Sequence, residues 1–233
     1  MVDAKGAITR LRLARTPNWT ASNPEDIKSE WWYWQQPRFW EVEYKTDGPR
    51  GRLHLGVDAE HLTREPEYYL GAVVWTEWGV VMGTPYPTRV ETFDPEKHAI
   101  GFEGPYYTDT ETFRTGHRYF LEDKPHYLDE PGEFWFRRDG ERDAGMLYVR
   151  LPGDIDPSTV RVEAADRINL VDARGFSHVH VSGLTFRFTN VYWDYTLRAR
   201  DQFDRPTHPD VDGACIRMLG DGKDIEGAHG RFE

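Results

Sequence analysis

Helical periodicity is almost absent from this 233-residue chain, and short alternating runs take its place. Arg10-Leu11-Arg12-Leu13, Arg52-Leu53-His54-Leu55 and Val160-Arg161-Val162-Glu163 each alternate polar with apolar. Residues 69–75 and 79–82 read as more fully buried strands. Gly and Pro break the runs at short intervals, as they do in all-β proteins. The one helical candidate is a turn or two within residues 58–65.

Two hairpins are legible. One runs over residues 75–82, around Thr76-Glu77-Trp78-Gly79. The other pairs residues 133–136 with 146–151 across a charged stretch containing Asp139-Gly140, a strong turn dipeptide. In the second hairpin Phe134 and Phe136 face Leu147 and Val149, with Trp135 and Tyr148 on the other side. Either face is eligible for the core.

Several function classes are disfavoured at this stage. A net charge of -11 argues against phosphate-backbone binding, which needs a basic face. A single cysteine, Cys215, rules out an internal disulfide framework or a cysteine zinc site. No run approaches the ~20 apolar residues of a membrane span. No phosphate-binding Gly-rich loop, nucleophile elbow or His-Glu-x-x-His is present. Asn18-Trp19-Thr20 matches the glycosylation acceptor pattern, a short motif to which no role is assigned.

The carboxyl-terminal part repeats itself. An offset of 46 residues sets Leu170 against Ile216, Val179 against Ile225 and Phe186 against Phe232. Self-similarity at a fixed period marks a solenoid, in which a coil buries its apolar face only by stacking on a neighbour. On this reading Val179 and Val181 point inward, and His178 and His180 outward. The offset sets His178 beside Asp224 and His180 beside Glu226, an outward polar ladder. That ladder reads as an ordinary surface, as a sugar-binding groove, or as the start of a metal site that would need a third ligand. Cys215, opposite Asn169, reads as a small structural residue. The extra length of the repeat falls in a polar loop, residues 190–212.

The run Ala173-Arg174-Gly175-Phe176-Ser177-His178-Val179-His180-Val181-Ser182-Gly183-Leu184-Thr185-Phe186 resembles a coil of pectate-lyase-like right-handed parallel β-helix proteins. Residues 128–136 and 147–152, with Leu13-Ala14-Arg15-Thr16-Pro17-Asn18, resemble the lead-in of a bacterial, α-1,3-galactosidase-like subset. In that subset a β-barrel is inserted between the pieces; Thr16 stands where the subset usually has Tyr. The resemblance covers residues 8–20 and 118–233.

It implies a lead-in strand at 1–20 and a β-barrel or sandwich insert at 21–117. A connecting hairpin follows at 118–155, and the first coils of a parallel β-helix at 156–233. It also implies a carbohydrate-active protein of extracellular or periplasmic location, whose partner is an oligosaccharide or polysaccharide. With so few coils the helix is expected to continue in a longer protein or to be capped by self-association.

Glycoside hydrolysis needs paired carboxyls. Asp194, Asp210 and Asp212 of the 190–212 loop are the catalytic candidates, although a solvated acidic loop accounts for them as well. Trp193, His178, His180 and Arg217 are candidate sugar contacts. The densest aromatic cluster, Trp31, Trp32, Tyr33, Trp34, Phe39 and Trp40, puts Trp32 and Trp34 on one strand face. They either fill a core or offer a stacking platform. No metal or cofactor is required for hydrolysis; a calcium-dependent lyase is an alternative, as is a non-catalytic sugar-binding module.

Overall fold

The computed structural model describes residues 1–2, 6–36, 53–78, 84–103, 114–140, 144–153, 155–167, 170–174, 179–186, 199–200, 206–207, 216–219 and 230–232. It is mostly sheet with almost no helix, and divides into two compact units, Met1–Arg161 and Val162–Glu233.

The first unit is built on a seven-stranded antiparallel sheet. Its strands are β2 (Arg15–Thr16), β3 (Trp32–Tyr33), β4 (Leu53–Val57), β5 (Val73–Trp78), β6 (Thr84–Asp94), β7 (Ala99–Glu103) and β8 (Arg118–Glu122). The order is β2-β8-β5-β6-β7-β4, with β3 also on β8. The sheet therefore takes strands from both sides of positions 20 and 117. Pro85 and Pro87 explain the shape of β6. Neither can donate to a ladder, and among the described residues, 84–89 pair with β5 alone. Val90 joins both sides, donating its N–H to Ala72 O and standing opposite Phe102 of β7, and a register shift between Val90 and Thr92 then bends the strand along β7. The sheet curls until Gln35 donates its backbone N–H to Val57 O at 2.9 Å, linking the β3 edge to β4.

Tyr119 and Leu121 of β8 and Val74 of β5 point into the enclosed core with Trp34, Phe102, Ile100, Leu62 and Tyr69. Trp34 is the centrepiece. Its ring stacks on Tyr119 with centroids 3.5 Å apart, and its Nε1–H donates to Thr76 Oγ1 at 2.7 Å.

Three expectations about this unit are corrected. Thr76, Glu77 and Trp78 do not form a turn: β5 runs through them, and Trp78 is opposite Thr84. Residues 79–82 lie outside the described residues. The helical turn lies at Pro66–Tyr69 (α1), after the 58–65 segment, because Pro66 favours a helix start. Tyr69 therefore sits in α1, and the buried strand begins at Val73.

A smaller sheet joins β1 (Arg12–Leu13), β9 (Glu133–Arg138) and β10 (Gly145–Val149). β9 and β10 form the expected hairpin, with Phe136 opposite Leu147 and Trp135 opposite Tyr148. β1 lies parallel to β9. The 160–163 segment shows one bridge, Arg161 to Val2, in place of a strand.

In the second unit β11 (Val171–Arg174) lies parallel to β15 (Ile216–Leu219), and β12 (Val179–Val181) parallel to β16 (Gly230–Phe232). The two halves of the repeat thus pair in parallel, but not at one constant offset. Ile216 meets Val171, one residue from the expected Leu170, and Phe232 meets Val181, five from the expected Phe186. His180 is consequently opposite Arg231 and not Glu226. A short antiparallel pair, β13 (Ala199–Arg200) with β14 (Pro206–Thr207), occupies the stretch read as loop.

Candidate functional site

Strand alternation sends Tyr119 and Leu121 of β8 inward, and so turns Arg118, Phe120 and Glu122 to the opposite face of the sheet. On β5 the same rule puts Val73, Trp75 and Glu77 beside them: Trp75 is opposite Phe120, and Val73 opposite Glu122. β2 adds Arg15, register partner of Glu122 on its other side. The segment after β2 brings Trp19 and Trp31 over Phe120. Trp31 and Phe120 are 4.6 Å apart by centroid, Trp19 and Phe120 5.3 Å, and Trp19 and Trp31 5.4 Å.

Glu122 is the chemically distinctive member. It is 7% exposed, and the half-buried Trp75 donates Nε1–H to its Oε1 at 2.6 Å. Burial disfavours the carboxylate and pushes its titration up to about 7, although the Trp75 bond and the nearby Arg15 charge pull the other way. At neutral pH this carboxyl is therefore divided between acid and carboxylate. Arg15 lies 4.7 Å above the centroid of Trp19 and 5.6 Å from that of Phe120, a cation–π arrangement. Burial lowers its pKa from the ordinary value, partly offset by the charge of Glu122. The indole N–H groups of Trp19 and Trp31 are buried and have no hydrogen-bond partner among the described residues.

Polar contacts hold the covering segment in place. The Glu30 carboxylate accepts from Thr20 N at 2.8 Å and Ser22 N at 3.0 Å. A contact with the Ser22 hydroxyl and these backbone bonds hold its titration down at about 2. Nearby, the buried Glu77 carboxylate pairs with Lys28 and accepts from Arg118 N at 2.8 Å, while Arg118 also grips Asp26 at 2.6 Å.

Of the residues singled out by sequence, Trp32 is half-buried and stacks on His61, at 4.4 Å between centroids. Trp34 is 1% exposed, a core residue with no face left for a sugar. His180 is exposed on β12. Arg217 lies on β15 opposite Asp172. His178, Trp193, Asp194, Asp210 and Asp212 lie outside the described residues, as do Phe39 and Trp40. Asn18 of the glycosylation pattern donates to Asp129 Oδ1 at 2.8 Å. Among the described residues no group of three or more His, Cys, Asp or Glu is arranged to hold a metal ion, and no helix is long and apolar enough to cross a membrane.

Sequence reading missed Glu122, Arg15, Trp19 and Trp75. The alternation of Arg118-Tyr119-Phe120-Leu121-Glu122 carried a signal, since it puts a carboxyl on the same face as an aromatic. The approach of Arg15 and Trp19 arises from long-range pairing and has no local signature.

Comparison with protein-family models, curated proteins and solved structures gave no match.

Proposed function

We propose that this chain is a carbohydrate-active protein, part of a glycoside hydrolase, with an aromatic-walled recognition face on its first unit. The observation that carries this reading is the Glu122 carboxyl. It is held near neutrality by burial beside an indole that is itself half-exposed. A carboxyl that keeps a protonated share at neutral pH can donate a proton to a departing glycosidic oxygen. Trp75 and Trp19 supply apolar ring surface for a pyranose, and Arg15 supplies hydrogen-bond donors. The parallel pairing of β1 with β9, β11 with β15 and β12 with β16 supports a β-helical reading of the remaining chain. Asp194, Asp210 and Asp212 stay proposed as carboxylates of the second unit, with Trp193, His178, His180 and Arg217 as sugar contacts.

The near-complete enclosure of Glu122 favours a second reading, sugar binding without turnover, in which only the half-exposed Trp75, Trp19 and Arg15 meet the ligand. A chromogenic galactoside assay run beside a glycan-array screen separates the two. Turnover that disappears in Glu122→Gln while binding persists supports the hydrolase. Binding without turnover, lost in Trp75→Ala, supports the binding module. Neither turnover nor binding overturns both readings.

A further inference from the structure

A second polar constellation lies away from the Glu122 face, at the turn that follows β4. Asp58 is fully buried, and four donors meet its carboxylate. The backbone N–H groups of Glu60 and His61 reach Oδ1 at 3.0 and 3.2 Å. The Tyr119 hydroxyl donates to Oδ2 at 2.8 Å, and His61 Nδ1 lies at 2.8 Å from the same oxygen. A carboxylate so surrounded acts purely as an acceptor, so the Nδ1 of His61 carries the proton. In the neutral ring the lone pair is then on Nε2. The half-buried Trp32 fixes the plane of the imidazole, stacked at 4.4 Å and 12°.

The Nε2 atom faces the Glu60 carboxylate, with Oε1 at 3.8 Å, too long for a hydrogen bond. The His61 side chain is 29% exposed and that of Glu60 74%. With the ring neutral, two acceptors thus stand side by side at the surface, and no donor from the described residues reaches either atom. The ring that carries one of them is held by Asp58 and Trp32, so this acceptor is positioned before any ligand arrives.

We propose that His61 and Glu60 form a sugar subsite that recognises a vicinal diol. Adjacent ring hydroxyls supply two O–H donors on neighbouring carbons, spaced to meet Nε2 and Oε1 together. The imidazole and indole beside them give apolar surface to the ring. This inference rests on the carbohydrate reading above, and adds to it a place where neutral hydroxyls are read, separate from Glu122.

The test is titration of the full chain with methyl galactoside, followed by the His61 ring signals in NMR. The signals are expected to shift saturably in the millimolar range. His61→Phe, which keeps a ring on Trp32 but removes Nε2, and Glu60→Ala are each expected to weaken binding at least 10-fold. The 3-deoxy sugar is the matching ligand control, since O3 belongs to both vicinal ring diols and its removal should lose the same factor; the 4-deoxy sugar tells a 3,4-diol from a 2,3-diol. Glu122→Gln leaves the shifts at His61 unchanged. Unshifted His61 signals, or wild-type affinity in both His61→Phe and Glu60→Ala, would overturn the subsite. Turnover or binding dependent on Glu122 and Trp75 would still stand in either case, so the two readings fail separately.

Discussion

The ring of Trp34 occupies the space that a side chain at position 56 would need. A Cβ added to Gly56 on β4 would stand 2.5 Å from Cζ3 of Trp34 and 2.6 Å from Cη2. The ring cannot retreat, because Tyr119 stacks on it at 3.5 Å and Phe102 at 5.8 Å. Gly56→Ala is therefore expected to destabilise the first unit by about 1–3 kcal/mol, as overpacking of a tight core does. Urea denaturation followed by near-ultraviolet circular dichroism reads this directly. An unchanged midpoint would mean that β4 does not press against Trp34.

Glu122 makes stability depend on pH in a direction opposite to most carboxylates. Its titration is raised in the folded chain from an ordinary 4.5 to about 7, so the folded state holds the proton more tightly than the unfolded state does. Stability is then fully present below about pH 4.5, falls between 4.5 and 7, and levels off above 7. The loss is on the order of 3 kcal/mol, since every tenfold gain in proton affinity corresponds to about 1.4 kcal/mol. Glu122→Gln should flatten this part of the profile, measured as denaturation midpoints at pH 5 and pH 8. Trp75→Phe removes the indole donor that stabilises the carboxylate, and should move the titration higher still. Carbon-13 NMR of the glutamate carboxyls would detect that movement.

What could be read from the sequence followed from local rules. The β9–β10 hairpin was legible because Asp139-Gly140 marks a turn and the flanking residues alternate. The Trp31–Trp34 cluster was legible as a choice between core and platform, but the choice itself depends on Gly56 leaving a slot for Trp34. That slot is made by a strand distant in sequence, which no local pattern reveals. The segment from Trp75 misled for a related reason: Thr76-Glu77-Trp78-Gly79 has turn-like ends, yet pairing with β6 carries the strand through Thr76, Glu77 and Trp78. The Glu122 face was illegible because Arg15, Trp19, Trp75 and Glu122 come together only through β2–β8 and β5–β8 pairing.

Glu77 anchors two cations, Lys28 and Arg118. Its carboxylate is 5% exposed; burial alone would raise its titration, but bonds from Lys28 and Arg118 outweigh that and hold it below the usual value. Truncation by Glu77→Ala leaves Arg118 and Lys28, both largely shielded from water, without this partner. Removing one side of a buried pair costs about 3 kcal/mol or more. The loss should be greater than for Asp26→Ala, since Asp26 is 42% exposed at its side chain. Comparing the two variants by thermal unfolding checks the ranking. Equal effects would show that Glu77 is not the anchor of this network.

The register of the second unit offers a geometric test of the paired repeat. Constant spacing in the sequence would put residue 186 opposite Phe232, whereas β12 and β16 put Val181 there. Neighbouring strands lie about 4.8 Å apart, and a disulfide requires Cα atoms within about 7 Å. In a Cys215→Ser background, cysteines introduced at Val181 and Phe232 should therefore oxidise to an intramolecular cross-link. Cysteines at Phe186 and Phe232 should not, because Phe232 is opposite Val181 and Phe186 lies five residues further on, past the end of β12. Mass spectrometry of tryptic peptides under mild oxidation distinguishes the pairs. Cross-linking of the second pair alone would restore the constant offset of 46 residues. Cross-linking of the first pair alone would fix β12 and β16 in the parallel register that sets Val181 opposite Phe232.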